Sequence, residues 1–363
     1  MTNNAKIVDI MESLWPKNKA KGILAQARLF DEALKGNFGS EAKDKLLSGA
    51  WLFSPRGSDA YKFRFSFFVH PTVFNIQTVG NDLRTILGEK FRSLLAVAEF
   101  LANAGVGVIY AIPCTQTGYL PYKELRDKSF ENIHWKGFIY ENGSFVSKEL
   151  NTFFGLWGGG KGRLTVPTNP MEFSTKKCFL KLDESSLVGL LLNELFFSGY
   201  IKGVLRKSVS DPYDIDSFVI SLSQRYIFPV EIKEKFPAES NHQKFFGIDA
   251  GRIIMLLRLC MPNDANAIYL VRELSEEGDF IGWKYITLSE IIMYAGWNLQ
   301  AGGLGMGGSS TQTVILPYEM FKTWDSSQLE EGNLQKLGRL PTDTKNIAQG
   351  LMSKFQGSYY SKI

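Results

Sequence analysis

The amino-acid sequence predicts a mixed α/β protein made of two domains. Its 363 residues, of which 44% are hydrophobic, are enough to form two separate cores. Residues 61–70, YKFRFSFFVH, alternate aromatic with polar side chains at the period of a β-strand. From residue 183 to residue 317, apolar helices and strands follow one another, which is typical of an α/β domain.

Residues 1–155 are predicted to form an α+β domain. The apolar stripe of residues 82–103 indicates a helix, and a strand follows at residues 108–112. Residues 134–148 predict a hairpin that turns at the sequence ENG, residues 141–143, because Asn-Gly pairs favour tight hairpin turns.

Residues 156–182 are predicted to be a glycine-rich basic linker. The stretch 155–177 holds five glycines and four basic residues against one acid. Residues 155–162 approach the nucleotide-binding pattern GxxxxGK[ST], but Gly162 replaces the hydroxyl residue that would bind Mg²⁺. No nucleotide cofactor is therefore expected. The basic residues of the linker are candidates for contacts with phosphate groups, namely Lys161, Arg163, Lys176 and Lys177.

The second domain is predicted to span residues 183–325, with a C-terminal extension at 326–363. It opens with an apolar helix over residues 184–198, which Asp183 caps and Gly199 ends. The patterns that follow predict, in order, strands near 215–222 and 226–235, a helix near 247–260, a strand at 266–273, a helix near 287–296 and a strand at 313–317.

The composition limits the classes of function. A net charge of +4 permits a polyanionic partner. The cysteines Cys114, Cys178 and Cys260 lie far apart, which argues against a disulfide framework or a structural zinc site. The N-terminus lacks the apolar core of a signal peptide, and no apolar run approaches the ~18–20 residues that a membrane span needs. We therefore expect a soluble cytoplasmic protein with no membrane partner.

A strand-like stretch at residues 229–237, PVEIKEKFP, carries four charged side chains between apolar neighbours. Since successive side chains of a strand point to opposite faces, Glu231, Lys233 and Lys235 share one face. This face therefore combines a carboxylate with two amines.

The strand before it brings a second carboxylate to this face. It begins with Asp214 and Asp216, and a two-residue turn at 223–224 would fold the two strands into an antiparallel hairpin. That register sets Asp216 opposite Glu231, with side chains about 5 Å apart.

Two carboxylates at this separation repel each other unless a cation lies between them. Their hard oxygens, together with the main-chain carbonyl of Ile232, suit Mg²⁺, for which Mn²⁺ can substitute. Lys233 is then placed to orient or deprotonate a water and to stabilise negative charge on phosphorus. Asp214 is the alternative metal ligand to Asp216, and Lys235 is an alternative contact for phosphate.

Glu194 is a further candidate for this site. It lies within residues 184–198, a helix that is apolar on nearly every face, where an unpaired carboxylate would be costly. A metal held by the next two strands would balance its charge. A buried salt bridge with Lys202 or Arg206 is the structural alternative.

The order of these residues resembles the motif of the PD-(D/E)XK nuclease superfamily. It consists of Glu194 in a helix, Asp216 at the start of a strand, and then the sequence P-V-E-I-K with Glu231 and Lys233. That superfamily includes many type II restriction endonucleases. Residues 245–257, FFGIDAGRIIMLL, look like the helix that it packs behind the catalytic hairpin, with Asp249 and Arg252 as polar members. The resemblance covers residues 183–320, and isoleucine replaces the proline of the motif at position 215.

The resemblance implies a restriction-endonuclease-like core, with a central mixed sheet flanked by helices, that hydrolyses double-stranded DNA with Mg²⁺. Asp216 and Glu231 would hold the metal, Lys233 would activate the water, and Glu194 would support the site. Cutting two strands implies a homodimeric type II restriction endonuclease. Two alternatives stay open: a structure-specific nuclease of repair, recombination or phage defence, and a non-catalytic DNA-binding module with a degenerate nuclease fold.

The first domain is then expected to recognise DNA. Lys62 and Arg64, with Arg56, lie on the polar face of the strand at 61–70, which either reads a DNA groove or is simply solvated. His242 follows the charged strand, where it either faces the scissile phosphate or lies at the surface.

Overall fold

The chain divides into two compact units, each discontinuous in sequence. The first unit comprises Met1–Arg28 and Gly49–Asp214, and the second comprises Leu29–Ser48 and Ile215–Ile363. The computed structural model describes residues 2–15, 20, 23–24, 45–55, 63–160, 171–210, 212–223, 225–240, 242–294, 299–304 and 310–360.

The described residues form helices and strands that are numbered here in chain order. The helices are α1 (Asn3–Leu14), α2 (Leu83–Leu87), α3 (Lys90–Asn103), α4 (Tyr122–Arg126), α5 (Leu150–Gly155), α6 (Phe173–Phe179), α7 (Glu184–Glu194), α8 (Ala250–Cys260), α9 (Leu288–Met293), α10 (Glu331–Leu337) and α11 (Thr342–Tyr360). The strands are β1 (Leu46–Ser48), β2 (Trp51–Phe53), β3 (Phe65–Val69), β4 (Phe74–Asn75), β5 (Gly107–Thr115), β6 (His134–Glu141), β7 (Ser144–Lys148), β8 (Tyr213–Asp214), β9 (Ser217–Ser221), β10 (Tyr226–Lys235), β11 (Ala238–Ser240), β12 (Gln243–Asp249), β13 (Ile268–Leu274), β14 (Phe280–Thr287), β15 (Leu299–Leu304), β16 (Ser310–Pro317) and β17 (Lys322–Thr323).

The first unit is built on a mixed sheet with the strand order β7-β6-β5-β3-β2-β8. Strands β3 and β5 are parallel, and the β6–β7 hairpin is antiparallel. Its turn is the predicted one, with Asn142 at φ 50° and Gly143 at φ 82°. Buried aromatic rings fill the core, and the Phe67 and Phe196 rings meet edge to face at 4.8 Å.

Helix α7 does not end at Gly199 as predicted, because it continues as a π-helix over Leu195–Val204. A Cβ atom at Gly199 would lie 3.1 Å from the Phe130 ring, so the glycine permits this close packing. The combined helix, Glu184–Val204, contains an 18-residue window with a mean hydropathy of 1.3 and is long and apolar enough to cross a membrane. The expectation that no apolar run approaches this length was therefore wrong. More than half of the helix window is buried within the unit, and the core helix of a soluble protein meets the same criterion.

The predicted domain limits also need correction. The described part of the expected linker at 156–182 is folded, because it contains α6 and buries Met171 and Phe179 in the core of the first unit. Helix α7 belongs to the same unit, so the second unit resumes at Ile215 rather than at residue 183. The expected extension at 326–363 supplies α10 and α11, which are part of the second unit.

The second unit contains a mixed sheet with the strand order β1-β9-β10-β13-β14-β17. Strands β9 and β10 are antiparallel, whereas β13 is parallel to β10 because the intervening chain returns through α8. An antiparallel sheet with the order β11-β12-β16-β15 accompanies it. Strand β12 leads directly into α8, so residues 247–249, predicted as the start of this helix, are the end of a strand.

The register of the β9–β10 hairpin is the one predicted from the two-residue turn. The paired residues run from Tyr226 opposite Ser221 to Val230 opposite Ser217. The same register continued by one residue sets Asp216 opposite Glu231. The short turn and the alternation of buried side chains were therefore sufficient to predict this pairing.

Candidate active site on a charged hairpin

The candidate site begins where β9 starts and β10 is still paired. Asp216 directly precedes β9, is buried, and accepts a hydrogen bond of 2.5 Å from the main-chain N–H of Ile232. Because the N–H and C=O of a strand residue point to the same neighbouring strand, the Ile232 carbonyl also faces the Asp216 side. Asp214 instead lies in β8 of the first unit, opposite Trp51. Of the two aspartates, Asp216 is therefore the one that joins the hairpin.

Glu231 is the most deeply buried charge of the site, with no exposed surface. Lys233 Nζ lies 2.7 Å from Glu231 Oε1, and Arg252 Nε lies 3.4 Å from the same oxygen. Neither carboxylate oxygen receives a hydrogen bond of normal geometry from the described residues. The carboxylate is thus held by charge, and its Oε2 is buried without a hydrogen bond from the described residues.

Lys235 and Tyr269 fix the neighbouring backbone. Both donate hydrogen bonds to the carbonyl oxygen of Gly247 in β12, the tyrosine hydroxyl at 2.9 Å. Burial, and next the charge of Lys233, lower the pKa of Lys235 from 10.5 to about 8. These contacts join β12, the strand that leads into α8, to strands β10 and β13.

Helix α8 carries the third cation of the site. Asp249 ends β12 and caps the helix, since its carboxylate accepts a hydrogen bond of 2.7 Å from the N–H of Gly251. Arg252 follows within the first turn and is only 13% exposed. The sequence marked this arginine as a polar member of an apolar helix and assigned it no role. Its contact with Glu231 depends on a tertiary approach that no local pattern encodes.

The charges of the site balance. Three carboxylates, Asp216, Glu231 and Asp249, accompany three cations. The cations are Lys233, Lys235 and Arg252. Burial, followed by the charges of Glu231 and Asp216, also raises the pKa of Tyr269. A divalent ion would leave the cluster with a net positive charge suited to a phosphodiester.

The residues of the site fit a hard divalent cation that takes only a few ligands from the protein. Among the described residues, no group of three or more His, Cys, Asp or Glu side chains could hold a metal ion. Two carboxylates and the Ile232 carbonyl are what the hairpin offers, and the buried Oε2 of Glu231 has no hydrogen bond. Mg²⁺ commonly binds through one or two carboxylates and keeps several waters, so this small set suits it.

Glu194 lies in the first unit, within the core that α1 and α7 share. Trp15 Nε1 donates a hydrogen bond of 3.0 Å to one carboxylate oxygen, and Ser198 Oγ donates to the other. The cost of burying this acid is thus offset by donors of its own unit. Asp216, Glu231 and Lys233 belong to the second unit.

The other residues that the sequence predicts to contact DNA lie outside the β9–β10 hairpin. Lys176 forms ion pairs with Asp9 at 3.2 Å and Glu12 at 2.6 Å, so it already joins α6 to α1. Lys177 is exposed and lies over the Phe173 ring at 4.6 Å. Arg64 is exposed just before β3.

His242 is fully exposed in the turn between β11 and β12, where its Nδ1 lies 3.9 Å from Glu239. This is the surface position that the sequence left open as the alternative. The remaining candidates, Arg56, Lys62, Lys161 and Arg163, lie outside the described residues.

Comparison with family models, with curated proteins and with solved structures finds no match to this chain. The functional interpretation therefore depends on the geometry of the hairpin and of α8. Asp216, Glu231, Lys233 and Arg252 are the residues that this geometry brings together.

The lowered pKa of Lys235 predicts a specific pH dependence of stability. Between about pH 8 and 10.5 the unfolded chain binds more protons than the folded one, so the free energy of unfolding rises with pH. This residue should contribute about 2 kcal/mol between pH 7 and 9.5. Urea unfolding at both values should show the rise in the wild type and its loss in Lys235→Met. Equal pH dependence in the two proteins would contradict the assignment, and Lys244→Met, at an exposed position of β12, is the control.

Substitution of Glu194 separates a structural from a catalytic role. Glu194→Ala leaves the Trp15 indole without this acceptor and should lower the free energy of unfolding by about 1–3 kcal/mol. Glu194→Gln keeps an acceptor for Trp15 and should preserve stability. Neither substitution should change, per folded molecule, the nuclease activity that the sequence resemblance implies. A stable Glu194→Gln protein that lacks such an activity while the wild type has it would return this residue to the catalytic group.

Proposed function

We propose that this protein is a Mg²⁺-dependent endonuclease that hydrolyses phosphodiester bonds of double-stranded DNA in the cytoplasm. The observation that carries the proposal is the β9–β10 register, whose continuation by one residue sets Asp216 opposite a fully buried Glu231. Lys233 lies on the same face, 2.7 Å from the Glu231 carboxylate. A structural hairpin has no need to bury two acids at one point beside a lysine.

Each residue of the hairpin has a proposed role. Asp216, Glu231 and the Ile232 carbonyl would hold the ion, which supplies Lewis-acid activation of the phosphodiester and of a water. The Ile232 N–H orients the Asp216 carboxylate. Lys233 is 38% exposed, so its amine can reach a solvent molecule, accept or hold its proton, and stabilise charge on the phosphate.

The surrounding elements support the same proposal. The β9–β10 hairpin is followed by α8 and then by β13, which is parallel to β10. The three strands thus form a mixed sheet beside a helix, as the resemblance to the PD-(D/E)XK superfamily implies. The helix that was expected behind the hairpin is α8, and Arg252 on it contacts Glu231. Helix α7, whose Glu194 was part of the resemblance, belongs to the first unit. The proposal therefore depends on the hairpin and α8 alone.

A type II restriction endonuclease acting as a homodimer is the favoured form of this activity. The first unit, with about half of the chain, would supply sequence recognition, which a junction-cutting enzyme needs less. A non-catalytic DNA-binding module is the rival from another class. The observation in its favour is that Lys233 and Arg252 already balance the Glu231 charge, as in a purely structural ion pair.

Digestion of supercoiled plasmid tests the proposed activity. The wild type should cut in the presence of Mg²⁺, and Lys233→Ala and Glu231→Gln should each be slower by roughly 100-fold or more, because general acid–base groups contribute at least that factor. Lys336→Ala, at an exposed position of α10 in the same unit, is the matched control and should cut normally.

The form of the products separates the alternatives. Discrete fragments indicate restriction, whereas nicking or smearing indicates a structure-specific enzyme. If the plasmid stays intact with Mg²⁺ and with Mn²⁺, the protein does not cut plasmid DNA. If a branched-junction substrate also stays intact, the non-catalytic DNA-binding module is the better interpretation.

A further inference from the structure

Arg252 is the least expected charge of the site. It lies in α8, where most side chains from Ala250 to Cys260 are buried and apolar, and it is only 13% exposed. Removing a guanidinium from water is costly unless a carboxylate receives it. Its Nε lies 3.4 Å from Glu231 Oε1, so the carboxylate of β10 is the counter-charge that the structure provides.

The two cations around Glu231 act on one side of the carboxylate. Lys233 Nζ lies 2.7 Å and Arg252 Nε 3.4 Å from Oε1, and neither Oε1 nor the buried Oε2 receives a hydrogen bond of normal geometry from the described residues. An ionised carboxylate can accept at both oxygens. The carboxylate therefore keeps the capacity to bind a further ligand.

Lys233 and Arg252 cannot be equivalent in this arrangement. Lys233 is 38% exposed and is the residue proposed to exchange a proton with water. Arg252 is only 13% exposed, so its guanidinium stays against the Glu231 carboxylate when the more exposed Lys233 amine turns to substrate.

The backbone around Arg252 is fixed at several points. Asp249 caps the start of α8, and the carbonyl of Gly247, two residues earlier, receives hydrogen bonds from Lys235 and Tyr269. The guanidinium therefore projects from a helix end that both β10 and β13 hold in place. A ligand-orienting residue needs such a rigid mount.

We infer that Arg252 is a positioning residue for Glu231. It stays against Oε1 when the more exposed Lys233 turns to substrate, and so holds the carboxylate in the orientation that presents it to a divalent cation. This inference rests on the proposed function, because it assigns Arg252 to the metal site of the nuclease. Outer groups that orient a metal ligand typically change metal affinity by 10–100-fold when removed.

Metal binding without DNA tests the inference apart from turnover. Mn²⁺ titration of the full-length protein, followed by electron paramagnetic resonance of the free ion, gives the dissociation constant directly. Arg252→Ala should weaken Mn²⁺ binding by roughly 10–100-fold, and Arg252→Lys should recover part of the loss. Added guanidinium ion should restore binding to Arg252→Ala, which would not occur if the arginine served only to pack the helix. Arg258→Ala, on the same helix, is the control and should bind as the wild type does.

The outcomes distinguish this inference from the proposed function. If the wild type binds Mn²⁺, Glu231→Gln abolishes binding and Arg252→Ala binds as tightly as the wild type or more tightly, the positioning role is wrong and the metal site stands. If the wild type does not bind Mn²⁺, the proposed metal site itself is wrong. Should Arg252→Ala fail to fold, as judged by its thermal transition, Arg252→Lys provides the same comparison.

Discussion

The burial of the Glu231 carboxylate is the constraint on which the site depends. A charged group with no exposed surface must be compensated within the protein, and here Lys233 and Arg252 supply the compensation from two different elements. That requirement links the hairpin to α8. It also gives a reason for the Gly247 carbonyl contacts, since they hold the strand from which α8 and its arginine begin.

The core of the candidate site could be predicted from the sequence because it is local. Asp216 and Glu231 lie within one hairpin, so strand alternation and a two-residue turn sufficed to predict its register. The observed pairing, from Tyr226 opposite Ser221 to Val230 opposite Ser217, has that register. Glu194 shows the limit of the same reasoning. The sequence indicated that this buried acid needs a partner, but one donor, Trp15, lies 179 residues away in the chain.

The remaining differences have the same physical origin. The boundary between the units depends on which core receives the apolar faces of α6 and α7, and hydrophobic periodicity shows that a face is apolar without showing what it packs against. Arg252 was visible as a charge on an apolar helix, yet its contact with Glu231 arises only when α8 packs on the sheet. Long-range contacts thus decided both the domain limits and the place of Arg252 in the site.

The central claim is that Asp216, Glu231 and the Ile232 carbonyl form a binding site for a divalent cation. Anomalous diffraction from crystals of the full-length protein soaked in Mn²⁺ tests it most directly. The account predicts an anomalous peak within bonding distance of both carboxylates and of the Ile232 carbonyl, with Arg252 still against the other oxygen of Glu231. Well-diffracting soaked crystals with no peak at this hairpin, or with the Mn²⁺ ion bound elsewhere, would contradict it.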